Sequence, residues 1–444
     1  MPKLNTLLAG AMLFSLTLFT ACGDSEDSTI TAITISADSQ TIKPNGSDKV
    51  QISAVDQSGN DITSQVTFSI GNTVISEEFT TTEMEDFEVI GRYKTIESNT
   101  LTISGVLQPT SLTLSMDKTE IKANGFSFVK LSATDEDGDD VSRFVTFLNG
   151  SDELYTSVFA SRVTGDFSLK AKYDNIESDE VDITVTQSNS QNKKILIEEF
   201  TGEWCGWCPQ AGYNLDLISK FSETVITVGI HNGDSYEYSN ESGLRSKLGV
   251  TFFPDGRISR STTGGAFNAP TIFSADFSRI NSDIEDYLEE ETMLGIAINT
   301  SVANGELTVS PTIKFYDDIT SDIYLTVYLL ENNLPASAQQ NYFENLDGYE
   351  ESAYYSEPAI LSDYAHDHVL RKNLTDAFGD MIPAEDVGAD MEFVPESIVT
   401  ELGDFDEDHV SIVAFVHYDI DGNSKVILNA QKVKAGENIS YDDL

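Results

Sequence analysis

The sequence predicts a multidomain chain: two tandem β-sandwiches, then an α/β domain, then a C-terminal β-sandwich. Three observations carry this. A segment of about 80 residues occurs twice in the N-terminal half. A continuous apolar strand then leads into a Cys-x-x-Cys and an apolar helix, and β alternation returns beyond residue 292. The chain's 444 residues leave room for roughly three domains of ordinary size. Its 24 Phe and 17 Tyr can furnish several cores.

Charge narrows the function classes. Lys and Arg number 26 against 74 Asp and Glu, a net charge of −48. Such a surface repels phosphate backbones, so a nucleic-acid partner is excluded. It suits a solvated secreted or surface protein.

At the N-terminus, Lys3 precedes an apolar run between Leu7 and Phe19 that is too short to span a bilayer and fits a signal-peptide core. Phe19-Thr20-Ala21-Cys22 resembles a bacterial lipobox. That resemblance implies a signal peptide over 1–21, a diacylated Cys22 as membrane anchor, and an acidic tether over 22–28. Ordinary signal cleavage leaving a spare thiol is the competing reading. The implied location is the outer membrane, on its periplasmic or cell-surface face. With Cys22 lipidated, Cys205 and Cys208 are the remaining cysteines, so the chain is no disulfide scaffold and keeps one redox pair.

Within the repeat, Ile33-Thr34-Ile35-Ser36 matches Leu112-Thr113-Leu114-Ser115, and Ile42-Lys43-Pro44-Asn45-Gly46 matches Ile121-Lys122-Ala123-Asn124-Gly125. Val66-Thr67-Phe68 matches Val145-Thr146-Phe147, and Tyr93 with Ile96-Glu97-Ser98 matches Tyr173 with Ile176-Glu177-Ser178. Short alternating strands between turn signals predict sandwiches over 29–107 and 108–187. They resemble bacterial immunoglobulin-like domains. Asp135-Glu136-Asp137-Gly138-Asp139-Asp140 invites a calcium reading, but the Gly falls at the fourth position and Thr146 at the twelfth, where an EF-hand loop needs Gly sixth and Glu twelfth. A hairpin turn is expected there instead, and no metal site is assigned.

A polar linker over 188–193 leads into the α/β domain, 194–291. Ile195-Leu196-Ile197 is its first strand, Thr201-Gly202-Glu203-Trp204-Cys205-Gly206-Trp207-Cys208-Pro209 opens a helix with Leu215, Leu217, Ile218 and Phe221, and Val225 to Ile230 is the next strand. A CxxC at a helix start places sulfur near free N–H groups and the positive end of the dipole, which favours thiolate. Cys205 is then the exposed nucleophile and Cys208 the resolving thiol. Pro209 fits the first turn, where its missing N–H costs nothing.

This order of elements resembles thioredoxins. The resemblance implies that Glu199 is the buried acid that deprotonates the second cysteine, its pKa raised by desolvation, though a surface carboxylate remains open. It also implies that Thr251-Phe252-Phe253-Pro254 is the cis-proline loop, with Phe253 and Pro254 presenting backbone to a substrate. Trp204 and Trp207 would form an aromatic rim around the sulfurs, and core packing is the competing reading, more so for Trp204. Zinc lacks ligands, since the histidines His231, His366, His368, His409 and His417 are scattered. Covalent haem needs His where Pro209 stands, so no cofactor is expected. A purely structural disulfide stays open.

A helix over 274–290 carries Phe277, Ile280, Ile284 and Leu288 at helical spacing. Strands at 307–313, 323–330, 410–416 and 426–428 then predict the C-terminal sandwich, 292–436, with an excursion over 332–396 and a tail over 437–444. Asn304-Gly305 and Asp421-Gly422 are hairpin turns. His231 is expected to be a hydrogen-bonded structural histidine, and His366 and His368 share a face if extended.

Glu198-Glu199-Phe200-Thr201-Gly202, Cys205-Gly206, Cys208-Pro209, Ile230-His231, Pro254-Asp255-Gly256-Arg257, the run from Tyr364 to Arg371, and Leu428-Asn429-Ala430 occur in this order. Together, over about 193–436, they resemble the twenty-eight-kilodalton outer membrane protein family. That resemblance implies an outer-membrane or surface lipoprotein without assigning a reaction. Two functions follow as expectations. One is thiol–disulfide exchange on extracytoplasmic protein thiols by Cys205, Cys208 and Glu199. The other is a non-catalytic surface binding or adhesion lipoprotein.

Overall fold

A computed structural model describes residues 29–189, 192–261, 264–419 and 427–441. The expected signal peptide, Cys22, the acidic tether and the Asp421-Gly422 turn lie outside the described residues. The chain divides into two compact units, Met1–Gln108 and Pro109–Leu444.

In the first unit, strands Ile33–Ala37, Val50–Asp56 and Glu78–Phe79 form one antiparallel sheet. Thr41–Ile42, Ile96–Gly105, Asp86–Tyr93, Thr67–Ile70 and Thr73–Ile75 form a second. Alternation turns Ile35, Val50 and Ile52 from one sheet and Phe68, Val89 and Ile103 from the other into a single core.

The second repeat has the same strand order, with Leu131 and Ala133 buried where the first has Ile52 and Ala54. Its acidic loop is a turn. Asp135 Oδ1 accepts the N–H groups of Asp137 and Asp139, as Asp56 Oδ1 accepts those of Ser58 and Asn60. Ligand oxygens of Asp135, Asp137 and Asp139 come within 4.8 Å of one another. The first repeat closes the same turn with Ser58 and Asn60 in place of the last two acids, so turn closure alone accounts for the geometry.

The repeats differ in what their edges touch. Phe126, Phe128 and Val158 of the second pack into the core of the α/β region, where Phe128 meets Phe221 at 5.4 Å and Phe273 at 5.7 Å between ring centroids. The first repeat carries Ser47, Lys49 and Glu78 there, and Lys49 pairs with Glu78 in solvent. The expected linker is also tied down. Ser188 Oγ and the Asn189 N–H donate to the Glu289 carboxylate, and Lys193 Nζ donates to the Leu428 carbonyl.

The α/β region begins with β1 (Ile195–Thr201), α1 (Cys208–Phe221), β2 (Val225–His231), α2 (Glu241–Lys247), β3 (Asp255–Ile258) and α3 (Ser278–Leu288). β1 pairs parallel to β2, Glu199 opposite Gly229, and antiparallel to β3, Glu199 opposite Gly256. Every residue of β1 and β2 is buried, as expected of strands covered on both faces. Ala211, Leu215 and Ile218 of α1 and Ile280 and Ile284 of α3 cover one face, and Leu244 of α2 belongs to the cluster on the other.

The chain continues as β4 (Leu294–Ala303), β5 (Glu306–Phe315), β6 (Ile323–Glu331), β7 (Val369–Asn373), β8 (Val410–Tyr418) and β9 (Ile427–Lys434). The expected boundary at 291/292 separates no sheets. The order β3-β1-β2-β7-β6-β8-β9 is one sheet, with β7 joining parallel to β2 and antiparallel to β6. β4 and β5 form a second sheet packed on its C-terminal half through Ile296, Val309, Val327 and Ile412. Across the join, Arg260, fully buried, donates to Glu198 Oε2 at 3.0 Å and to the Tyr328 hydroxyl at 2.9 Å, linking β1 to β6. The ion pair is buried with its hydrogen bonds made, the geometry in which loss of either partner is most costly.

Candidate functional site

The turn after β1 is Gly202-Glu203-Trp204-Cys205-Gly206-Trp207, and α1 starts at Cys208. Cys205 and Cys208 are joined as a disulfide. The Phe253–Pro254 peptide is cis and precedes β3. Trp204 stacks edge-on against Phe253 at 5.1 Å, so the proline loop flanks the CxxC turn.

Cys205 is not the exposed sulfur expected from sequence: it is 4% accessible, and Cys208 2%. The cover comes from the excursion between β6 and β7. Its backbone donates from Gln340 to the Glu203 carbonyl and from Tyr342 to the Gly206 carbonyl, both 2.8–2.9 Å, while Gln339 Nε2 donates to the Cys205 carbonyl. Ser337 caps this strap through the Glu203 carboxylate. Gly206 is needed because a Cβ there would fall on the ring of Tyr342. The tryptophans divide oppositely to expectation. Trp204 is 46% exposed with its indole N–H on the Asn232 carbonyl, whereas Trp207 is packed among Tyr342, Phe343 and Tyr349.

Glu199 is buried in β1, and desolvation pushes its carboxyl up to about 8. Its Oε1 has no hydrogen-bond partner among the described residues. An acid whose folded pKa exceeds its unfolded one stabilises most below the unfolded value, 4.5, and loses that contribution as pH rises through about 8. Stability is therefore expected to fall between pH 5 and 8 through this group, and Glu199→Gln should flatten that part of the profile in urea unfolding. An unchanged slope would mean that Glu199 is ionised when folded.

Glu199 and Cys208 both line a cavity of about 410 Å³. His231, His366 and His368 line it too. His231 Nδ1 bonds the Asp234 carboxylate at 2.8 Å and its ring meets that of His366 at 4.5 Å. His368 has a left-handed backbone, φ 57°, which breaks the expected strand alternation yet leaves both histidines on the cavity. Burial pushes His366 and His368 down to about 3, so both rings are neutral. Sequence reasoning missed the strap and the cavity, because the excursion lacks strand periodicity and its aromatic spacing has no period. His409 lies apart near Asp406, and His417 is buried against Arg260.

Fold and site together define a predominantly β protein with an α/β centre that holds a covered CxxC disulfide beside a cis-proline. Residues 241–439 match the family described as outer membrane protein Omp28. The resemblance drawn from sequence holds across that range. The match starts after the CxxC, so Cys205, Cys208 and Glu199 lie outside it. No curated protein matches the chain significantly. Among solved structures, HBP35 of Porphyromonas gingivalis is similar at 21% identity over 55% of this chain and 75% of that one, TM-score 0.42. Invasin, a bacterial integrin-binding protein, is similar at 10% identity over 91% and 60%, TM-score 0.27. The adhesin InvE of Yersinia pseudotuberculosis is similar at 14% over 35% and 58%, TM-score 0.23. At these scores none decides this chain's fold or function. Among the described residues, no helix is long and apolar enough to cross a membrane.

Proposed function

We propose that this chain is an outer-membrane surface protein, tethered by lipid on Cys22, whose thioredoxin-like α/β region exchanges disulfides with extracytoplasmic protein thiols. The observation that carries this reading is the buried Glu199 carboxyl with a free oxygen, on the same cavity as Cys208. The Phe253–Pro254 loop, whose Phe253 ring lies against Trp204, supports it.

The chemistry is balanced within the two partners. A substrate thiolate attacks Cys205 Sγ, the Cys205–Cys208 bond breaks, and a mixed disulfide forms. Cys208 leaves as thiolate and takes the proton that Glu199 holds near neutrality. The substrate's second thiol, once deprotonated, displaces Cys205. The substrate is oxidised to a disulfide and the pair is reduced. The reverse sequence, with Glu199 taking the Cys208 proton, donates electrons instead.

The burial of Cys205 beneath Gln339 and Tyr342 favours a second reading, a static disulfide in a surface-binding lipoprotein. Insulin reduction and disulfide isomerisation by the wild type and Cys205→Ser separate the two. Activity lost in the variant supports exchange, and equal turnover removes it. Membrane fractionation tests the tether: Cys22→Ala is expected to move the protein to the soluble fraction.

A further inference from the structure

We infer that the cavity beside Cys208 is a binding site for a small organic primary amine that also carries a hydrogen-bond acceptor. The inference does not rest on the redox reading, since binding can be measured with the disulfide unchanged.

Four of the side chains that line this cavity hold a polar atom without a partner among the described residues: Glu199 Oε1, Thr227 Oγ1, His366 Nε2 and His368 Nε2. The first three belong to side chains more than nine-tenths buried. Leaving such atoms unpaired is costly, and folded proteins keep few of them. Beside a cavity of about 410 Å³ such atoms are served by water or by a ligand, and a ligand with matching polar groups would take over the water's hydrogen bonds.

Charge says which ligand. The lining includes Glu199, Asp216, Glu357, Asp363 and Asp367, and no Lys or Arg. Two cations border it: Lys220, paired with Asp216 at 2.7 Å, and Lys432, whose Nζ sits 3.3 Å from His368 Nδ1. With Lys432 donating, Nδ1 is the acceptor and the ring proton stays on Nε2, a donor that a ligand's acceptor can use. Aromatic faces complete the wall. Tyr213, Tyr354, Tyr364 and His366 form a chain of ring contacts, with centroids 6.3, 5.9 and 4.9 Å apart. Carboxylates with tyrosine rings recognise ammonium groups.

A metal ion fits less well. Among the described residues, the only three ligand atoms within 4.8 Å of one another are those of Asp135, Asp137 and Asp139, far along the sequence in the second repeat. The cavity volume of about 410 Å³ suits an organic molecule rather than an ion.

The test is calorimetry on the full chain with its disulfide intact, using ethanolamine and 4-amino-1-butanol as probes and 1-butanol and butyrate as controls. The amines are expected to bind with Kd below about 1 mM and the controls not at all. Thr227→Val and Glu199→Gln should each weaken binding by about tenfold, the loss of one hydrogen bond to a charged group. Thr227→Val should not lower Tm, because it removes an unpaired hydroxyl from the interior. Binding should also release protons at pH 7 in the wild type, as the cation draws Glu199 into its ionised form, and this release should vanish in Glu199→Gln. Absence of heat from either amine up to about 10 mM, equal binding of butyrate, or unaltered affinity in Thr227→Val would overturn the inference.

Discussion

Replacing Phe126 with Ser and Phe128 with Lys is expected to detach the second repeat from the α/β region and to lower the stability of the larger unit by several kcal/mol. The substitutions give the second repeat what the first already has at the same positions, Ser47 and Lys49. Phe126 is fully buried and Phe128 nearly so, and their rings meet each other and Phe221 at centroid distances of 5.4 to 6.0 Å. Truncating one such Phe to Ala costs about 3–5 kcal/mol, and a lysine adds the cost of a charge in an apolar pocket. The two sites touch, so the double change should cost less than the sum of the singles. Urea unfolding should then show the second repeat melting ahead of the remainder, with proteolysis appearing near residues 188–194. A single cooperative transition displaced by under about 1 kcal/mol would mean that docking rests on Asn124 and Glu289 instead.

That interface shows which parts of the architecture were legible in the sequence. The duplication was plain, since equivalent strands keep equivalent apolar positions. What distinguishes the copies at that edge is Phe126, Phe128 and Val158 against Ser47, Lys49 and Glu78, and a Phe on a sandwich edge looks the same whether it faces its own core or a neighbour's. The strands of the C-terminal sandwich were legible from alternation, as in Ile323–Glu331 and Val410–Tyr418. β7 was not, because Val369-Leu370 is too short an apolar run to register, and its neighbours Arg371 and Lys372 look like surface. Yet β7 is the strand that fuses the α/β sheet to the C-terminal one. At the site, the CxxC, Glu199 and Pro254 could be placed because their chemistry demands a fixed local order. The strap could not, because it comes from more than 130 residues away and two of its bonds to the CxxC turn run backbone to backbone, which any sequence can supply.

Lifting that strap is expected to speed reduction of the Cys205–Cys208 bond by at least about tenfold, whichever function the disulfide serves. Exchange requires a thiolate to approach along the S–S axis, and Cys205 beneath Gln339 and Tyr342 offers it little surface. Gly206→Ala places a methyl group against Cγ, Cδ1 and Cε1 of Tyr342, so the half-exposed ring and the backbone that bonds the Gly206 carbonyl have to move outward. Tyr342→Ala removes the ring without a clash and should accelerate reduction by a smaller factor, since its N–H can still reach Gly206. In the Tyr342→Ala background, Gly206→Ala should add little, because the steric conflict has gone; this coupling separates strap displacement from damage to the turn. Stopped-flow reduction with dithiothreitol, followed by Trp204 and Trp207 fluorescence, measures all four proteins. Equal rates across the cycle would mean that the sulfurs are reached from the cavity side, past Glu199 and Gly212, and that the strap anchors the excursion without guarding the disulfide.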